Sequence, residues 1–233
     1  MQDLSQNYNN ALNLLDKEFT HQELITFLEK GSVIERQFAS LNLKDVQNKD
    51  EANLLLNNLV GVDGKIREAT ALKVSELTFK TPELFFDNRN FDLFLNATID
   101  IDSNVCRLAI SSALNIKQFK DFSTFYTDGV IKIINTALDE ISKFTFRDKK
   151  YKINKQIFKI YWCLEALIYF YEFAKDEDLE KVLINCANLP EYTVREKCAK
   201  FLTKINLTPS LKELKTKLEN DENYYVRNIF SNN

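Results

Sequence analysis

The sequence predicts an all-α chain of about five to six helix pairs wound as a right-handed α-α superhelix, an α-solenoid. Three observations predict it. The 233 residues contain only 4 Gly and 3 Pro, too few turn-formers for a sandwich or barrel of many short strands. Apolar residues recur with the 3.6-residue period of helices rather than the alternation of strands. An apolar residue, often followed by Arg, also opens a helix six times, with an apolar stripe four, seven or eight, and eleven residues on. Self-similarity at intervals of tens of residues marks an array of stacked units. The segment Val194-Arg195-Glu196-Lys197-Cys198-Ala199 shows the pattern best.

The elements follow in order. A capping helix is expected near 4–17. The first pair is 21–30 and 33–42, divided by Gly31. The second is 50–60 and 65–79, with Gly61 and Gly64 in the gap, where the chain must turn. The third is 82–99, broken near Asp87-Asn88, and 103–118. The fourth is 128–144 and 151–174, the fifth 177–188 and 192–206 around Pro190, and the sixth 209–219 and 223–231. Thr81-Pro82 and Thr208-Pro209 each read as an N-cap followed by Pro in the first turn, where the missing N–H is harmless. The repeats then span 18–43, 48–80, 81–119, 121–175, 176–207 and 208–233, after a capping segment 1–17, as one domain. The opening apolar residues of the second helices are 34, 66, 106, 153, 194 and 226, with Val105 an alternative to Cys106. Their irregular spacing suits two-helix repeats joined by variable loops.

The openings Val62-Asp63-Gly64-Lys65-Ile66-Arg67, Asp102-Ser103-Asn104-Val105-Cys106-Arg107, Glu191-Tyr192-Thr193-Val194-Arg195 and Asp221-Glu222-Asn223-Tyr224-Tyr225-Val226-Arg227 resemble the second-helix signature of the HEAT-repeat family, within the armadillo-like solenoids. That signature is a turn with a polar or acidic residue, then Val-Arg, then small and apolar residues. The copy at Ile34 lacks the following Arg, although Arg36 is close, and the copy at Ile153 has Asn154 in its place. The resemblance covers most of the chain and implies architecture rather than activity. Asp63 precedes Arg67 by four residues, and Glu191 precedes Arg195 by four. An acid at a helix start satisfies free N–H groups, and the Arg one turn on can bond that acid or its equivalent in the next repeat. Asp63, Arg67, Arg107, Glu191, Arg195 and Arg227 are therefore read as a structural ladder.

Composition narrows function mostly by exclusion. The net charge of −3 and pI near 5.5 lack the basic excess of a general nucleic-acid binder. Cys106, Cys163, Cys186 and Cys198 form no C-x-x-C pair and read as core thiols of a reducing compartment. The N-terminal residues have neither the basic nor the apolar region of a signal peptide, and no apolar run approaches the length of a membrane span, so a cytoplasmic protein is expected. The single histidine, His21, cannot supply a two-His metal site. No nucleophile elbow, P-loop or dinucleotide fingerprint occurs. The acidic groups Asp139-Glu140, Asp176-Glu177-Asp178 and Asp221-Glu222 fall at helix ends or starts and read as solvated charges, those at the starts complementing the dipole, rather than as paired catalytic carboxylates. No cofactor, metal or catalytic residue is expected.

One constellation stands apart. Segment 143–159 holds seven basic residues and one acid; Lys143, Arg147, Lys149, Lys150 and Lys152 form its basic patch. The helix that follows carries a core stripe from Ile153 through Leu164 to Tyr171 and a second, aromatic stripe. A helix apolar almost all round is normally buried between neighbours. Second helices line the inner surface of such arrays, so Lys155, Phe158, Lys159, Trp162, Glu165 and Tyr169 are also candidates for a groove receiving an acidic, aromatic peptide. Equivalent groove positions in other repeats are Glu68, Leu72 and Ser75, and Glu196, Lys200 and Thr203. Their mixed signs argue against a nucleic-acid track. The expected function is a non-catalytic protein-binding scaffold. Two alternatives rest on likeness of repeat class alone. One is a DNA alkylation-repair glycosylase-like protein, for which Trp162 and Glu165 are the plausible matches. The other is a chaperone or bilin-lyase-like subunit.

Overall fold

A computed structural model describes residues 12, 14–144 and 150–231. Among these the protein is all-helical, with thirteen α-helices, two 3-10 turns and no strand. The expected capping helix lies largely outside the described residues, as do Arg147 and Lys149 of the basic patch. The chain divides into two compact units, 1–122 and 123–233.

The first unit contains α1 (His21–Lys30), α2 (Val33–Asn42), α3 (Lys49–Leu59), α4 (Gly64–Lys80), the single turn α5 (Pro82–Phe85), α6 (Phe91–Thr98) and α7 (Ser103–Asn115). Its helices form two rows. The second helices of the pairs, α2, α4 and α7, pack side by side, and the first helices α1, α3 and α5–α6 form the other row. Leu28, Leu55, Leu59, Val74, Leu77 and Phe94 are fully buried between the rows, each worth about 1.5–3 kcal/mol relative to exposure. Neutral hydroxyls stitch the second-helix row: Ser40 meets Thr70 at 3.0 Å, and Ser75 donates to Ser111 at 3.2 Å.

Helix α8 (Lys120–Ser142) crosses the division. In the second unit follow α9 (Lys150–Phe170), α10 (Asp176–Ala187), α11 (Tyr192–Leu202), α12 (Pro209–Glu219) and α13 (Tyr224–Ser231). Again the second helices α9, α11 and α13 form one row, and α10 packs on α12 in the other. Leu164, Phe170, Leu183, Val194, Phe201 and Leu218 make the core.

Local chemistry explains most boundaries. Thr20 and Ser32 accept from the N–H groups of Glu23 and Glu35, whose carboxylates accept in return from the cap N–H groups. These capping boxes fix the starts of α1 and α2. Asn48, Asp63, Asp102 and Thr208 cap α3, α4, α7 and α12. Two expectations are corrected. Thr81 does not cap the helix after it; both its N–H and its hydroxyl donate to Leu77 O, so it closes α4. Helix α8 starts at Lys120 rather than 128, because Phe122 and Tyr126, one turn apart, are both fully buried. That burial outweighs the cost of Gly129 inside the helix, about 0.5–1 kcal/mol.

Candidate functional site

Each unit holds one rung of an arginine ladder with the same geometry. Arg67 grips Asp100 with two N–H groups, Nε to Oδ2 at 2.6 Å and Nη2 to Oδ1 at 3.2 Å, while Nη1 donates to the carbonyls of Gly61 and Val62. Arg195 grips Asp221 in the same way at 2.7 and 3.1 Å and donates to Leu189 and Pro190 O. The paired side chains are 12% and 10% exposed in the first rung and 9% and 8% in the second. The acid bonded by each Arg belongs to the next helix pair. Asp63 and Glu191, four residues ahead of the arginines, serve instead as N-caps, accepting from Ile66 and Thr193 N–H. The hydrogen bond from Arg195 lowers the Asp221 pKa, and Asp221 raises that of Arg195.

Counting from the N-cap corrects two registers. Arg36 lies four residues after its cap Ser32, as Arg67 does after Asp63, so the first copy starts at Glu35-Arg36 and not Ile34. It donates to Gly31 and Glu29 carbonyls; Gly61 stands where the next pair would offer an acid. In α7 the corresponding position is Cys106, whose thiol donates to Asp100 O at 3.1 Å. Arg107 is one residue further, about 100° around the helix. It leaves the ladder, is exposed, and reaches Asn104 Oδ1 at 3.4 Å. Arg227 donates to Asp221 O at the end of the second rung.

The second unit carries an open groove of about 390 Å³ between α9, α11 and α13. Glu165, Ile168 and Tyr169 form one wall, Asn228 and Ile229 the other, and Lys197 and Lys200 on α11, with Lys204 in the turn after it, lie between them. Lys197 is buried, bonds Glu165, and lies 4.6 Å from the Tyr161 ring centroid. Burial opposes its charge, but the Glu165 hydrogen bond and charge, with Tyr161, more than compensate, and its pKa stands above the usual lysine value. Lys200 pairs with Glu196 at 2.6 Å. Lys204 is exposed with no ion-pair partner among the described residues. A Lys row at seven-residue reach beside a half-exposed tyrosine can hold carboxylates with an apolar or aromatic neighbour.

The sequence-derived candidates divide. Glu165 and Tyr169 line the groove. Trp162, three residues before Glu165, is only 8% exposed and packs edge-on against Phe158 and Tyr161. Its Nε1–H is buried without an acceptor among the described residues. It is a core residue with an unmet donor, not a groove floor. Phe158 and Lys159 are half-buried and Lys155 exposed on the same stripe. Of the basic patch, Lys150 and Lys152 are exposed, Lys152 lying 5.2 Å from the Phe144 ring centroid, and Lys143 pairs with Glu140. Lys197 and Lys204 were missed. The three-residue spacing of Lys197 and Lys200 on α11 could have flagged the first; Lys204 lies in the turn after α11, where helical spacing carries no signal.

The first unit has a groove of about 370 Å³ in the same place on its second helices. Its floor is aliphatic: Leu41 and Leu72, 45% and 54% exposed, with Ala69 and Leu108. Lys65 and Arg107 stand at its rim, with Glu68 held by Asn104 Nδ2 at 3.4 Å. His21 is engaged on both ring nitrogens, near Asp45 at 3.5 Å and Glu51 at 3.0 Å. Among the described residues no His, Cys, Asp and Glu group is arranged to hold a metal ion, and no helix is long and apolar enough to cross a membrane. All four cysteines are buried and unpaired, and burial pushes Cys106 and Cys186 up to about 12.

No protein-family profile matches the chain, and no curated protein matches it. Among solved structures it is similar to an engineered protein from the Northeast Structural Genomics Consortium, 13% identical, with 92% of this chain and 94% of that one covered at a TM-score of 0.49.

Proposed function

We propose that the chain is a non-catalytic binding module, an α-solenoid of HEAT-like helix pairs, that holds a partner protein's acidic, aromatic segment in the groove of the second unit. The carrying observation is the lysine cluster of α11 and the turn that follows it, where Lys197, Lys200 and Lys204 line an open groove beside Tyr169. Lys197 is committed to Glu165 and Lys200 to its helix neighbour Glu196, which leaves Lys204, without an ion pair among the described residues, as the cation a ligand meets first, with Lys200 available on exchange of its exposed pair. The HEAT-like reading is supported by the two equivalent rungs, each tying one helix pair to the acid of the next. Four buried, unpaired thiols support a reducing compartment and with it a cytoplasmic location. The glycosylase alternative draws no support from Trp162, which is buried, or from Glu165, which is spent on Lys197.

The test is fluorescence anisotropy with a labelled peptide of alternating Glu and Tyr. Saturable binding that weakens with salt and falls about tenfold, about 1.4 kcal/mol, in Lys200→Ala/Lys204→Glu supports the reading. Equal binding by wild type and variant, or equal binding of a Lys-Tyr peptide, rejects it.

A further inference from the structure

The first unit's groove repeats the position of the second unit's groove with opposite chemistry. Nine residues after their N-caps, α2 and α4 present Leu41 and Leu72; at the same offset α11 presents Lys200. Both leucines are about half exposed. Phe79 continues their line, seven residues beyond Leu72 on α4, and is 78% exposed. Two half-exposed leucines in the groove and an open aromatic side chain further along α4, with Ser75 and Glu76 between them, are the kind of exposed apolar surface that marks an interaction site.

The rim supplies the sign of the partner. Lys65 and Arg107 sit near the N-terminal ends of α4 and α7, are exposed, and have no carboxylate within ion-pair distance among the described residues. Lys65, Leu72 and Phe79 lie seven residues apart on one face of α4, spanning about 21 Å. The surface therefore carries two cations against one carboxylate, Glu68, at one end, and exposes its apolar side chains further along.

The surface also selects the partner's backbone. Its walls are helices, whose backbone N–H and C=O groups are already paired. An extended segment laid on them would find nothing for its own backbone groups, whereas a helix arrives with its bonds made. We propose that this groove is a second docking site, and that its occupant is an amphipathic helix of a partner protein. That helix carries an apolar stripe over Leu41, Leu72 and Phe79 and carboxylates one to two turns away over Lys65 and Arg107. The groove of about 370 Å³ accepts the stripe of side chains, while the body of the helix remains outside.

The probe is a fluorescein-labelled helical peptide of about 18 residues, with Glu in its first turn and Leu and Phe following at seven-residue spacing. A second probe replaces the Glu residues with Lys. Wild type binds the Glu probe; Leu72→Glu weakens it about tenfold or more. Arg107→Glu weakens the Glu probe and gains affinity for the Lys probe. Both positions are exposed, and circular dichroism melts confirm that each variant folds. Absence of saturable binding to wild type, full binding by Leu72→Glu, or no change of charge preference in Arg107→Glu overturns the proposal. So does sedimentation showing that wild type dimerises through this face and Leu72→Glu does not, since the occupant is then a second copy. Lys200→Ala/Lys204→Glu binds the Glu probe normally, which separates this site from the second unit's groove.

Discussion

The two units use the same rung and build different grooves on it. In both, an Arg four residues after the N-cap grips an Asp from the next pair, with a second set of bonds to its own turn. What differs is the face of the second helices. The first unit joins those helices by hydroxyl pairs, Ser40 with Thr70 and Ser75 with Ser111, and leaves leucines outside. The second joins them by the part-buried ion pair Lys197–Glu165 and leaves lysines outside. The buried rung sets the stacking, and positions one residue off it are free to vary. A framework and a recognition surface can thus change independently on one helix.

The largest way to break the comparison is to remove a rung. Arg67→Ala and Arg195→Ala each strand a buried carboxylate and are expected to lose about 3–5 kcal/mol in urea unfolding. Equal losses support equivalence; a loss in one unit alone breaks it. The Asp221 rung also has a pH signature. Its pKa is lower in the folded than in the unfolded state, so its contribution is present above the ordinary Asp value of about 3.9 and disappears as pH falls through the folded value. The stability gap between wild type and Asp221→Asn should therefore narrow on acidification below that point.

A smaller loss, about 1–2 kcal/mol, is expected for Lys197→Met, which strands Glu165 only in part because that carboxylate is 27% exposed. Lys197 has a raised folded pKa, so its contribution is full below the unfolded value of about 10.4 and lost as pH rises through the folded one. Wild type should approach the variant in stability above that pH.

The rung can also be built. Gly61 lies where an acid would face Arg36, and a side chain there meets nothing closer than Asn58 O at 3.5 Å. Gly61→Asp should raise stability by about 1 kcal/mol in thermal melts, through the new pair and reduced chain freedom. No gain would mean that a rung needs more than an acid at that position. The smallest effect is at Trp162→Phe, which removes an indole N–H that has no acceptor among the described residues. It should stay within about 1 kcal/mol of wild type, whereas a groove-floor tryptophan would have mattered to binding alone.

The sequence made the helices legible because capping residues and the 3.6 period agree at almost every boundary. It misplaced the start of α8, where burial of Phe122 and Tyr126 rather than a cap sets the helix. It found the residue types of the rung but not its register. An apolar residue followed by Arg marks Arg67 and Arg195, yet it also marks Cys106-Arg107, where one residue of slip swings the guanidinium out of the ladder and into a groove. The groove proposed for binding was only half visible. Glu165 and Tyr169 share a stripe with Trp162 in the sequence, but which member is covered depends on Tyr161, Phe158 and Lys197, two of them one turn away and one on another helix.

The central claim, one framework with two independent grooves, is tested most directly by crossing both peptides with both groove variants. Anisotropy titrations would pair the Glu-Tyr peptide and the amphipathic Glu-Leu-Phe helix with Lys200→Ala/Lys204→Glu and Leu72→Glu. The account predicts that each variant loses about tenfold affinity for its own peptide and keeps the other. A variant that weakens both peptides, or neither, contradicts it.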